Sequence, residues 1–122
     1  MSVKNTKILV VDDEEVICDV LSTHFRRRGY VVITANSAEE ALPIIKEQCP
    51  EIMLLDKTLP GMSGVDLLKL VRKFNKTIKV IIVSGHDLDP DDPEFKGLNI
   101  LKIVQKPVPF DVLDLSVEKA TQ

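Results

Sequence analysis

Five short aliphatic runs leave this chain few folds to choose from. They are Ile8 to Val11, Tyr30 to Ile33, Ile52 to Leu55, Val80 to Val83 and Ile100 to Val104. Each is rich in β-branched side chains and bounded by polar or turn residues, the pattern of a strand. The first, third and fourth are almost continuously apolar. That predicts strands buried on both faces, as in a parallel sheet covered by helices. Aromatic residues make up only 4% of the chain and Trp is absent, so the core these runs build is aliphatic.

Helical patterns lie between the runs. Val16, Ile17, Val20, Leu21 and Phe25 recur at helical spacing and predict one buried stripe ending at Gly29. Arg26-Arg27-Arg28 falls in the last turn of that helix, where cations suit the dipole. Ser37 followed by Glu40 reads as a capping box, with Ala41, Leu42, Ile44 and Ile45 as the stripe behind it. Pro43 interrupts that stripe and predicts a kink. Leu67, Leu68, Val71 and Phe74 mark a third helix. Val112, Leu113, Leu115 and Val117 mark a last one, entered through Pro107 and Pro109. Between Asp87 and Gly97 two prolines and four aspartates oppose a full helix, and Asp92 with Pro93 can start about one turn.

Strand and helix in alternation imply right-handed crossovers and an α/β fold, a single doubly wound (βα)5 domain. The expected order of the five-stranded parallel, flavodoxin-like sheet is 2-1-3-4-5, with a short or disrupted fourth helix. The 122 residues suit one domain, 1–122, with its core from about Lys7 to Lys119. A net charge of −3 speaks against a nucleic-acid surface. The run Ile8 to Val11 is too short for a membrane span or a signal-peptide core, so a cytoplasmic location is expected. Cys18 and Cys49 form no disulfide framework and read as reduced thiols.

In a doubly wound sheet the reactive crevice lies outside the carboxyl ends of the strands. Those ends here carry Asp12-Asp13 followed by Glu14, then Asp56, Ser84 and Lys106. Three aspartates gathered in one crevice repel one another and push at least one pKa upward. A hard divalent cation relieves that repulsion, and Mg2+ suits a few carboxylate oxygens plus water. The same charge neutralisation is what phosphoryl transfer needs. A carboxylate can attack phosphorus to form an aspartyl phosphate. Asp56 closes the central run ahead of the loop Leu59-Pro60-Gly61-Met62-Ser63-Gly64, which places it at the middle of the crevice. Lys106 and Ser84 can contact the phosphoryl oxygens. Taken singly, Asp13 could instead be the N-cap of a helix starting near Glu15. His24 reads as a partly exposed helical residue, and His86 should border the crevice.

Together, Asp12-Asp13, Asp56 with its following loop, Ser84-Gly85 and Lys106-Pro107 resemble the receiver domain of two-component response regulators. The resemblance implies that Asp56 accepts a phosphoryl group from a histidine kinase or phosphotransfer protein. It implies Mg2+ held by Asp13 and Asp56 directly, by Asp12 through water and by the backbone carbonyl of Thr58. Ser84 and Lys106 would sense the phosphoryl group. The output is expected through another protein or domain, from a monomer or a weak phosphorylation-dependent dimer. The chain would not be an enzyme beyond catalysing its own phosphorylation and dephosphorylation. A Mg-dependent aspartyl-phosphate phosphohydrolase is the alternative, but its Asp-x-Asp is replaced by Asp56-Lys57-Thr58. A degenerate receiver acting only as an interaction module conflicts with the intact acidic set.

Two features depart from that family. Receivers commonly carry an aromatic three residues before the lysine, and Ile103 stands there instead. The Asp87 to Gly97 segment replaces a full helix, which reads either as a lineage-specific loop without functional meaning or as an output face remodelled for a particular partner. Lys57 and Thr58 should line the edge of the site.

Overall fold

The computed structural model describes residues 5–85, 89, 91–107 and 109–121. Five strands form one parallel sheet, β1 (Lys7–Val11), β2 (Val31–Ala35), β3 (Ile52–Asp56), β4 (Lys79–Ser84) and β5 (Lys102–Gln105), in the order β2-β1-β3-β4-β5. The expected order is therefore the observed one. Helices α1 (Glu15–Arg27), α2 (Ala38–Gln48), α3 (Gly64–Phe74) and α4 (Phe110–Ala120) connect or follow the strands. Between β4 and β5 the described residues hold only a 3-10 turn, Pro93–Phe95. Asp92 caps it, accepting from the Glu94 amide at 3.0 Å, with Pro93 at its first position. His86, Asp87, Leu88 and Pro90 lie outside the described residues, so the expectation for His86 does too.

Alternation along each strand sends side chains to two cores. Leu9, Val11, Met53, Leu55, Val80 and Ile82 pack with α2, α3 and the 3-10 turn. Ile8, Val10, Ile52, Leu54, Ile81 and Val83 pack with α1 and α4. Strand β3 is buried along its whole length, as its unbroken apolar run predicted.

Two strands start later than their apolar runs suggest. Tyr30 belongs to the end of α1, because its amide bonds to the Phe25 carbonyl while that of Gly29 bonds to Arg26. This pair of hydrogen bonds is a Schellman closure, and the positive φ of 97° at Gly29 suits a glycine. Strand β2 begins at Val31 and runs on to Ala35, opposite Val11. At the other edge, Ile100 and Leu101 precede β5. The buried Arg72 draws the chain aside there by donating to the carbonyls of Leu98 and Asn99.

The helix stripes need correction as well. In α1 the buried residues are Cys18, Leu21, Ser22 and Phe25, whereas Val16 and Val20 are 71% and 46% exposed. Two apolar stripes lie side by side on this helix and only one faces the sheet. Phe74 and Leu115, also expected inside, are exposed. Phe74 instead lies under Lys46, whose Nζ is 5.3 Å from the ring centroid. Helix α2 is continuous through Pro43, which sits on its solvent face, where water can reach the carbonyl left without an amide partner.

The cap of α2 follows the sequence closely. Ser37 Oγ accepts from the Glu40 amide at 3.1 Å, and Glu40 Oε1 accepts from the amide of Asn36 rather than from that of Ser37. Ser37→Ala should therefore lower stability by about 1 kcal/mol in chemical denaturation, with no change in the folded sheet's spectrum.

Candidate functional site

The parallel register aligns the carboxyl ends of the four inner and edge strands that carry polar residues. Asp12 follows β1 and is tied in by its amide, which donates to the Ala35 carbonyl at 3.1 Å. Asp56 is the last residue of β3, Ser84 the last of β4, and Lys106 follows β5 with its amide on the Ser84 carbonyl at 2.8 Å. The Lys106-Pro107 peptide is cis. Asp13, Glu14, Asp56, Lys57, Thr58, Ser84, Gly85 and Lys106 line one open crevice of about 480 Å3.

Lys106 stands at its centre. Its Nζ lies 2.9 Å from Asp12 Oδ2, 3.2 Å from Asp56 Oδ2 and 3.3 Å from Glu14 Oε1. Asp12 and Asp56 are only 3% and 6% exposed, and an unpaired carboxylate at such depth would be costly. The remaining oxygens are also bonded. Asp12 Oδ1 accepts from the Glu14 amide at 2.9 Å, and Asp56 Oδ1 from the Thr58 amide at 3.0 Å. Carboxylate oxygens of Asp12, Asp13 and Asp56 lie within 4.8 Å of one another, with Asp13 exposed. All three are hard anionic donors, so this set fits a small divalent cation plus water.

Burial is the largest influence on Asp56 and pushes its pKa up from 3.8. The Thr58 amide and Lys106 pull it down, and Asp12 pushes it up again. For Lys106, burial opposes the charge, but Asp12 and Asp56 outweigh it and hold the pKa above the ordinary lysine value. Cys18, behind the site with its Sγ 3.4 Å from the Asp12 carbonyl, is pushed up to about 11, chiefly by burial. It is a packed thiol and not a nucleophile.

The loop after Asp56 is wedged tight. A Cβ on Gly64 would fall 2.0 Å from the Asp56 carbonyl oxygen, and the Gly64 amide donates to the Lys57 carbonyl at 2.9 Å. Only glycine permits that approach. Ser63 caps α3 immediately beyond, accepting from the Asp66 amide.

The crevice thus gathers Asp13, Asp56, Thr58, Ser84 and Lys106, with Asp12 bound to Lys106. Asp13 does not cap α1, whose N-cap is Glu14 without a side-chain bond. Glu14 itself was not singled out, although its place beside the acidic pair at a strand end was a signal. Ile103 packs against the α2 and α3 side of the core. His24 lies away from the crevice, with Nε2 2.7 Å from Asp114 Oδ1 and its ring stacked on Phe110.

The raised pKa of Asp56 means that the folded protein holds a proton there more tightly than the unfolded chain does. Stability linked to that proton is present below 3.8 and is lost as pH rises through the folded-state value. In metal-free buffer the Asp56 carboxyl carbon should titrate above 3.8 by NMR. Lys106→Met should move the midpoint further up, and a midpoint at or below the ordinary value would contradict this electrostatic balance.

Comparison with known proteins agrees with the geometry. Residues 8–118 match the model of the response regulator receiver domain. The chain is 34% identical over 115 residues to sporulation initiation phosphotransferase F of Bacillus subtilis, covering 94% of this chain and 93% of that protein. It is 34% identical over 120 residues to the transcriptional regulatory protein ZraR of Escherichia coli strain K12, covering 98% of this chain but 27% of ZraR. Its fold superposes on that of the response regulator TrrA of Thermotoga maritima, solved in complex with Mg2+ and BeF. The TM-score is 0.86 and the identity 31%, over 94% of this chain and 98% of that one. An acidic crevice at the strand ends, a matching sheet order and these relatives together make this chain a member of the response regulator receiver domain family.

Proposed function

We propose that this chain is a phosphorelay switch whose acceptor is Asp56. The observation that carries this reading is the convergence of Asp56, Asp12 and Lys106, from three strand ends, in one crevice. A carboxylate oxygen of Asp56 attacks phosphorus of a phosphohistidine. The P–N bond breaks, its electron pair stays on the imidazole nitrogen, and a mixed anhydride forms on Asp56. Lys106 meets the new charge by exchanging a carboxylate for a phosphoryl oxygen, and the Ser84 hydroxyl donates to another. A bound Mg2+ would neutralise phosphoryl charge, held by Asp13 and Asp56 directly, Asp12 through water and the Thr58 carbonyl. Hydrolysis of the anhydride resets the switch, so the phosphoryl group passes from the donor to Asp56 and then to water. A cytoplasmic location, and a monomer or weak phosphorylation-dependent dimer, go with this reading.

The donor is a histidine kinase or phosphotransfer protein, and it needs a footing beside the crevice. Val16, Val20 and Phe110 are exposed. Ile17, Val20, Leu21, Pro107 and Phe110 form an apolar groove that Lys106 borders. Apolar surface adjoining a reaction site suits a protein partner. A separate output protein or domain would then read the phosphorylated state.

With acetyl phosphate and Mg2+, intact-mass measurement should show one added phosphate on the parent and none on Asp56→Asn. An equal gain in both would sink the assignment. Val20→Asp should slow transfer from a phosphohistidine protein by about tenfold, the effect of removing one interface anchor. Labelling by acetyl phosphate should stay as in the parent. Equal slowing of both would place Val20 in folding and not in docking.

A further inference from the structure

Lys57 touches both halves of the switch. It follows the acceptor Asp56 directly and lines the crevice. Its Nζ reaches over to the 3-10 turn, 3.3 Å from Glu94 Oε2 and 5.6 Å from the centroid of the Phe95 ring. The backbone beneath Lys57 cannot move easily, because Gly64 is pressed against Asp56 and bonded to the Lys57 carbonyl. The side chain is the free part.

Its contact with Glu94 is suited to breaking. The two side chains are 19% and 39% exposed, so the pair is partly open to water, which weakens it without abolishing it. Phe95, by contrast, is 8% exposed and packed into the core beside α3. The turn that carries it is short, held by the Asp92 cap and by the amides of Phe95, Lys96 and Leu98, which donate to Asp92, Pro93 and Phe95. Glu94 and Phe95 are neighbours on this turn, and Lys57 contacts both.

We infer that Lys57 is an electrostatic latch, holding the Pro93–Phe95 turn closed through Glu94 and Phe95 and releasing it when Asp56 carries a phosphoryl group. The inference rests on Asp56 as the acceptor. Phosphorylation adds negative charge and acceptor oxygens next to Lys57. The ammonium then has a stronger partner in the crevice than the half-exposed carboxylate of Glu94. The turn loses its tether, and the surface between β4 and β5 is what a downstream partner would find changed. With an aliphatic Ile103, partly buried against the core, at the position where an aromatic side chain could relay such a change, the latch supplies a separate route from crevice to surface.

The test is amide exchange at Phe95, Lys96 and Leu98 with and without beryllofluoride and Mg2+. The fluorine resonance of bound beryllofluoride reports loading independently. In the parent, loading should speed exchange at these amides about two- to fivefold, the scale of a half-exposed ion pair. Lys57→Met should show the faster rates already without beryllofluoride and no further gain on loading. Lys57→Arg should behave as the parent. Loading without a change at these amides, or a full response in Lys57→Met, overturns the latch and leaves the acceptor assignment standing. Failure to load overturns both.

Discussion

Everything at the functional edge of this protein depends on one ammonium group facing carboxylates that the fold has taken out of water. Asp12 and Asp56 are nearly inaccessible, and Lys106 bonds to both. Desolvation of such groups is costly, and a paired counter-charge with further hydrogen bonds offsets it only when the geometry is good. Here the amides of Glu14 and Thr58 complete the pairing. The fold therefore gives up stability to hold acidic groups together, and the resulting set of hard anionic donors is of the kind that fits a small divalent cation.

The sheet makes this possible because parallel strands deliver all their carboxyl ends to one edge. Strand β3 is central, flanked by β1 and β4, so Asp56 lies between Asp12 and Ser84. Gly64 then brings the following loop back against the Asp56 carbonyl, which keeps that loop beside the crevice.

Around that centre the surface divides by chemistry. Next to Lys106 lies an apolar groove from α1 and the start of α4. Next to Lys57 lies the acidic 3-10 turn. Lys57 and Lys106 both line the crevice itself. Between β4 and β5 the described residues hold a single 3-10 turn and no full helix.

The sequence alone determined the elements whose signals are local. Continuous apolar runs identify buried parallel strands, and Ser37 and Asp92 identify helix starts, because a cap and its amide are three residues apart or fewer. The four polar groups at the strand ends were also legible, since the topology rule converts chain position into proximity. What only the tertiary structure decided was which of several apolar faces is buried and which charges meet. Val16 and Val20 look as core-like as Leu21, and only the packing of α1 on the sheet leaves them outside. Tyr30 looks like strand until the closure of α1 claims its amide. The meetings of Lys106 with Glu14 and of Lys57 with Glu94 join residues far apart in the chain. Their energies depend on distance and burial, and neither quantity is encoded within any local window.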